Sequence, residues 1–194
     1  DCVIDLREGH FSSLRIVPDL SVIELADPPL APPKPDDYDG TDNLGIAWGA
    51  VIENATGGSG NDMLVGNPAN NTLQGMSGND TLYGSSGVDT AVFRASTANY
   101  LIAFARDMDE ATITDQRVGG DGTDSLASIE RLQFTDAHIA FDLDGNAGQV
   151  YRLYKAAFDR TPDLAGLGGW IAGIDTGELS LQPVAGSFIT SAEF

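Results

Sequence analysis

Residues Gly57 to Val92 read GGSGNDMLV (57–65), GNPANNTLQ (66–74), GMSGNDTLY (75–83) and GSSGVDTAV (84–92). The nine-residue register never slips. Glycine opens each unit, at Gly57, Gly66, Gly75 and Gly84. The sixth place holds Asp62, Asn71, Asp80 and Asp89, and the eighth holds Leu64, Leu73, Leu82 and Ala91. Glycine reaches backbone conformations closed to other residues, so the first six places predict a tight turn. The last three predict short strands, Met63-Leu64-Val65, Thr72-Leu73-Gln74, Thr81-Leu82-Tyr83 and Thr90-Ala91-Val92, each with an apolar middle residue to point inward. Two units then make one coil of a flattened parallel helix, and like positions stack 18 residues apart. Asp62 falls under Asp80 and Asn71 under Asp89, while Leu64 meets Leu82 and Leu73 meets Ala91 along a thin core.

Such turns bring backbone carbonyls together with a carboxylate. Calcium takes six to eight oxygen ligands, so this mixture suits it. Stacked carboxylates repel one another when no cation is present, by roughly 4 kcal/mol at 4 Å and an intermediate dielectric. A cation reverses that sign, so metal binding and folding are expected to be one event. A lone GGSGND would fit a solvated Asx turn equally well. The second copy, GMSGND, in the same register with stacked leucines favours the roll.

The 194 residues carry a net charge of −19, which disfavours nucleic acid and anionic membranes as partners and favours divalent cations. No apolar run reaches the length of a membrane span, so no membrane insertion is expected. Hydrophobic residues make up 42% of the chain, enough for a packed core. Cys2 is the single cysteine, so no internal disulfide can form.

Three segments follow. Residues 1–44 hold a weakly alternating strand, Cys2 to Leu6, and a proline- and acid-rich insertion from Asp19 to Asp42. Residues 45–141 form the expected calcium-binding roll with capping strands. Within them Ile46, Trp48 and Ile52 are placed to cover the open end, and Glu53 takes the sixth place one unit before Asp62, beneath Asn71. Past Val92 the repeat dissolves into strands at Tyr100–Phe104 and Ala111–Thr114, with Ile129–Phe134 and His138–Phe141 expected to close over the roll. Gly119 to Leu126 matches the nonapeptide once more, and Asp121 and Asp124 there fit a calcium site or an Asx-rich turn alike. Residues 142–194 read as a small all-α module, expected to be cut short. Val150, Leu153, Tyr154, Ala157 and Phe158 have helical spacing; Leu164, Leu167, Ile171 and Ile174 mark a second helix; Ser180 caps a third bearing Val184, Phe188 and Ile189. Asp142-Leu143-Asp144-Gly145-Asn146 lacks the twelfth-place glutamate of a calcium loop and reads as a helix cap.

VIDLREGHFSS and GIAWGAVIENATGGSGNDMLVGN together resemble the C-terminal domain of serralysin-type secreted zinc metalloproteases. DGTDSLASIERLQFTD is similar to the segment that follows the roll in many repeats-in-toxin (RTX) proteins. GNAGQVYRLYKAAFDRTPDLAGLGGW resembles a helical module of unknown function found in RTX and surface-layer proteins. The resemblance implies calcium ligands at Glu53, at Gly58, Gly60 and Asp62, at Asn67, Ala69 and Asn71, at Gly78 and Asp80, and at Gly87 and Asp89. Met76 and Ser85 stand where the family has its second glycine. The resemblance also implies a secreted or cell-surface chain, partnered by a type I secretion apparatus and an upstream catalytic domain, and holding several calcium ions.

The zinc helix HExxHxxGxxH of serralysins is not in this sequence, whose two histidines, His10 and His138, stand in unrelated contexts. Zinc is therefore expected only in an upstream domain, and this segment is expected to be non-catalytic. The leading expectation is a calcium-dependent folding and secretion module of a serralysin-like protease. An adhesin or surface-layer binding module using Trp170, and the RTX module of a different secreted enzyme, are the alternatives.

Overall fold

The computed structural model describes residues 1–13, 44–105 and 109–192; the proline- and acid-rich insertion, Asp19 to Asp42, lies outside them. Strands form where the nonapeptide frame puts them. Before the repeats come β1 (Val3–Asp5), β2 (Phe11–Ser12), β3 (Leu44–Gly45) and, in the same nine-residue frame, β4 (Asn54–Thr56); the repeats supply β5 (Met63–Val65), β6 (Thr72–Gln74), β7 (Thr81–Tyr83) and β8 (Thr90–Val92). Alternate strands pair in parallel. Leu64 stands opposite Leu82, Ala55 opposite Leu73, and Leu73 opposite Ala91, the 18-residue register of a two-unit coil. Leu64, Leu73, Leu82 and Ala91 are inaccessible to solvent. Each buried leucine contributes roughly 2–3 kcal/mol of apolar transfer, an upper bound against a fully extended chain.

The roll extends beyond the four repeats at both ends. Residues 1–13, set apart from the roll in the sequence, contribute a rung: β1 pairs in parallel with β5, with Ile4 opposite Leu64. Ile46 is buried as a cap residue should be, but Trp48 is 80% exposed and Ile52 38% exposed. Trp48 lies instead against Gly9, where a β-carbon would come within 2.6 Å of its ring.

At the other end the chain leaves the roll after Val92 and builds an antiparallel pair, β9 (Tyr100–Phe104) and β10 (Glu110–Asp115). It returns as β11 (Thr123–Ala127), antiparallel to β10 and parallel to β7, then as β12 (Arg131–Gln133), parallel to β8. Leu126 thus meets Leu82 and Leu132 meets Ala91. The strand at 131–133 does not close over the roll: Leu132 continues the inward-facing stack, and that pairing makes β12 another rung. One sheet runs β1-β5-β7-β11-β10-β9, and the other contains β12-β8-β6-β4. Phe93, Tyr100 and Phe134 pack ring on ring at 5.2–5.3 Å beside this last coil.

The chain divides into two compact units, 1–138 and 139–194. After β13 (His138–Ala140), the second unit holds α1 (Asn146–Phe158), α2 (Leu164–Asp175) and α3 (Leu181–Ile189). Asp142 acts as a cap, its carboxylate accepting from Ala147 N at 3.2 Å. Asp163 caps α2 by accepting from Gly166 N at 2.6 Å. Val150, Tyr154, Ile171, Val184 and Phe188 form the interior. Leu164 and Ile189, expected on inward faces, are 87% and 60% exposed because they sit at helix ends where the packing stripe runs out. Trp170 packs edge-on against Phe188 at 5.7 Å and belongs to this interior. Among the described residues no helix is long and apolar enough to cross a membrane.

Candidate calcium-binding turns

The sixth-place residues form two vertical ladders. On one side the amide of Cys2 donates to Asp62 Oδ1 at 2.6 Å, that of Asp62 to Asp80 Oδ1 at 2.8 Å, and that of Asp80 to Asp124 Oδ1 at 2.9 Å. On the other side Asn71 N donates to Asp89 Oδ1 at 2.7 Å and Asp89 N to Glu130 Oε2 at 2.7 Å. Each carboxylate therefore spends one oxygen on the coil before it. The second oxygen of Asp62 accepts from Gly58 N at 2.5 Å. Among the described residues, the second oxygens of Asp80 and Asp89 are buried and accept no hydrogen bond. A buried acceptor without a partner costs on the order of 1–3 kcal/mol, more if charged, and a cation removes that cost.

Electrostatics points the same way. Burial pushes the Asp89 carboxyl up to about 7, with the Glu130 charge adding to it. Burial likewise lifts Asp124 to about 7, helped by Asp80, Asp121 and Asp115. Asp80 is raised by burial and by the charges of Asp62 and Asp121.

The turns bring carbonyls beside these acids. Gly78 and Gly87 have φ of +129° and +128°, and each lies over a carbonyl of the coil below. A β-carbon on Gly78 would sit 2.2 Å from Gly60 O, and one on Gly87 2.8 Å from Ala69 O. Glycine is required there both by dihedral and by contact. No three His, Cys, Asp or Glu side chains converge among the described residues. A cation held here draws much of its coordination from backbone carbonyls, a donor set that fits calcium and not a soft transition metal.

The structure sorts the ligand candidates. Gly58, Gly60, Asp62, Gly78, Asp80, Gly87 and Asp89 lie in turns that stack as the register requires. Glu53 is exposed but in register beneath Asn71, its carbonyl accepting from Thr72 N at 2.7 Å. Asn67 and Asn71 act as amide cross-links to the turn below: Asn67 Nδ2 donates to Ile52 O at 2.7 Å and to Leu6 O at 3.2 Å, and Asn71 Nδ2 to Ile52 O at 3.3 Å. Ala69 N is held by Asn67 Oδ1 at 2.9 Å. Asp124 joins a ladder, whereas Asp121 is bound by Arg94 and by the Tyr100 hydroxyl. Both histidines are exposed.

Glu130 is the ladder member that the sequence reading missed. Its turn has lost three residues: Ser128, with φ +51°, takes the glycine place, and Glu130 follows two residues later. The retained signal is the acid-x-leucine of Glu130-Arg131-Leu132, which repeats Asp80-Thr81-Leu82.

Met76 and Ser85 adopt φ of +80° and +87° at the second place. A side chain in this left-handed region costs about 1–2 kcal/mol, partly offset by the extra entropy of glycine in the unfolded chain. Met76→Gly and Ser85→Gly should each stabilise the calcium-loaded roll by about 0.5–1 kcal/mol, seen as a rise in thermal midpoint. An unchanged or lower midpoint would show that these side chains contribute packing that outweighs the strain.

Residues 56–91 match the family "RTX calcium-binding nonapeptide repeat", in 4 copies, and residues 144–194 match "Domain of unknown function (DUF4214)". No curated protein matches the chain. Among solved structures, the extracellular lipase LipA from Serratia marcescens is similar at 21% identity with a TM-score of 0.23. That match covers 43% of this chain and 14% of the lipase. The chain therefore carries RTX repeats, which bind calcium, on a mainly β roll followed by helices.

Proposed function

We propose that the roll is a calcium-dependent folding module of a secreted protein, exported unfolded by a type I secretion apparatus and ordered outside the cell. The observation that carries this reading is the pair of buried, unpartnered oxygens, Asp80 Oδ2 and Asp89 Oδ2, within stacked carboxylate ladders. Held apart from a cation, those ladders oppose the coil stacking that buries Leu64, Leu73 and Leu82. Bound calcium supplies the positive charge that removes the opposition. The residues of the chain do the rest: glycine turns hold carbonyls inward, the ladder amides fix one oxygen of each acid, and the leucine stack sets the spacing between coils.

This segment is non-catalytic in our reading, and it serves an upstream enzyme. The resemblance of IENATGGSGND to serralysins favours a zinc metalloprotease as that partner. Circular dichroism of the 194-residue chain, in millimolar calcium and then in excess chelator, tests the folding role. The β signal of the repeats should be lost in chelator and return with calcium added at about 0.1–1 mM. A spectrum unchanged by chelator would sink the proposal.

A further inference from the structure

Two acids at the start of β11, Asp121 just before it and Asp124 within it, differ in how they are neutralised. Asp124 stands in a ladder of carboxylates, but Asp121, three residues earlier and equally buried, is held by protein cations. Arg94 Nε donates to Asp121 Oδ1 at 2.9 Å, and Arg94 Nη2 donates to the same oxygen. Nη2 also reaches Ser77 Oγ at 2.8 Å and Met76 O at 3.3 Å. The guanidinium thus bridges the turn 75–80 to the turn 119–124, spanning two successive coils. Asp121 Oδ2 accepts from the Tyr100 hydroxyl and lies 3.7 Å from Arg117. Arg117 forks onto Asp115, with Nη2 to Oδ2 at 2.6 Å, and Asp115 Oδ2 accepts from Asp121 N at 2.7 Å. Two buried acids and two guanidiniums balance each other here.

We propose that Arg94 is a built-in cation that pins the coil 119–133 to the nonapeptide turns without metal. The calcium-free chain then keeps β9 to β12 ordered, with Phe93, Tyr100 and Phe134 packed beside them, and calcium-dependent order in residues 57–92 grows from that end. Arg94 suits the task because a planar fork binds a carboxylate oxygen, a hydroxyl and a carbonyl at once, which a single ammonium cannot do in the same geometry. The inference rests on the calcium-dependent reading of the repeats, but its test separates the two.

Amide hydrogen exchange of the 194-residue chain in excess chelator reads both. Strands β10 and β11 should stay protected while β6 exchanges freely. Arg94→Ala should lower protection in β10 and β11 by about 10- to 100-fold in chelator, the scale of charge-assisted hydrogen bonds to a buried acid, yet regain it in millimolar calcium. Arg94→Lys should fall between. Free exchange of β10 and β11 in the chelated wild-type chain overturns the proposal, even where Arg94→Ala does not fold in calcium. So does an Arg94→Ala profile equal to wild type. Protection of β6 in chelator would instead count against the calcium-dependent reading and leave the clamp to be judged by Arg94→Ala.

Discussion

Asp62→Ala combined with Asp80→Ala should raise the calcium concentration that half-folds the roll by at least about 100-fold. The two acids stand one above the other, joined through Asp62 N and Asp80 Oδ1 at 2.8 Å, and Asp80 continues to Asp124. A hydrogen bond or cation contact to a charged group contributes about 1.5–3 kcal/mol, so losing two costs roughly 3–6 kcal/mol of calcium-linked folding energy. From a starting range of about 0.1–1 mM, that shift puts half-folding above about 10 mM. Asp62→Asn with Asp80→Asn separates charge from shape. An amide oxygen can still accept a backbone hydrogen bond in these turns, as Asn71 does within its own turn from Asn67 N at 2.7 Å. The double asparagine chain should therefore lose calcium response nearly as fully as the double alanine chain, while its chelated form is no less ordered than wild type. A calcium titration followed by circular dichroism reads both. A double asparagine variant that titrates like wild type would mean that the carboxylate charges are not the calcium ligands.

The nonapeptide register made the roll legible because period nine fixes backbone and side chain together. Once Asp62 is placed under Asp80, Leu64 must meet Leu82, and both pairings occur. The rungs outside the repeat were harder to see. Val3-Ile4-Asp5 is 60 residues from β5, its partner in the roll, so the nine-residue spacing does not distinguish it from any short alternating strand. That β11 and β12 are further rungs of the roll was hidden by what separates them from β8: the β9–β10 pair moves like positions from 18 to 44 residues apart, as Asp80 to Asp124 shows. The role of Asp121 was equally illegible. Its partner Arg94 lies 27 residues away, and only the return of the chain through β10 brings them together. Helical periodicity located α1, α2 and α3, but it could not say that Leu164 and Ile189 fall where the apolar stripe has already ended.

The roll should respond to pH in opposite senses with and without calcium. Asp89 and Asp124 are both pushed up to about 7 in the fold, chiefly by burial, against about 3.9 in an unfolded chain. Between these values the calcium-free fold holds more protons than the unfolded chain. Its stability is therefore largest below about pH 4 for these groups and is lost as pH rises through 7. Asp80, raised by burial and by its acidic neighbours, acts in the same direction. Asp115 works the other way, since Arg117 holds it down at about 2; its contribution is present above the unfolded value and lost only as pH falls toward 2. Asp89 and Asp124 thus govern the range from pH 5 to 8. In chelator, β signal and thermal midpoint should be higher at pH 5 than at pH 8, by a difference on the order of a few kcal/mol. With calcium the sense reverses, because the same carboxylates must be ionised to bind, and the half-folding concentration should fall as pH rises from 5 to 8. The crossing of the two trends separates a metal-filled carboxylate ladder from an ordinary acidic surface. An acidic surface would show weak pH dependence in chelator and no coupling to calcium. A chelated chain more stable at pH 8 than at pH 5 would contradict the ladder directly, since it would mean that Asp80, Asp89 and Asp124 are better ionised inside the empty roll than outside it.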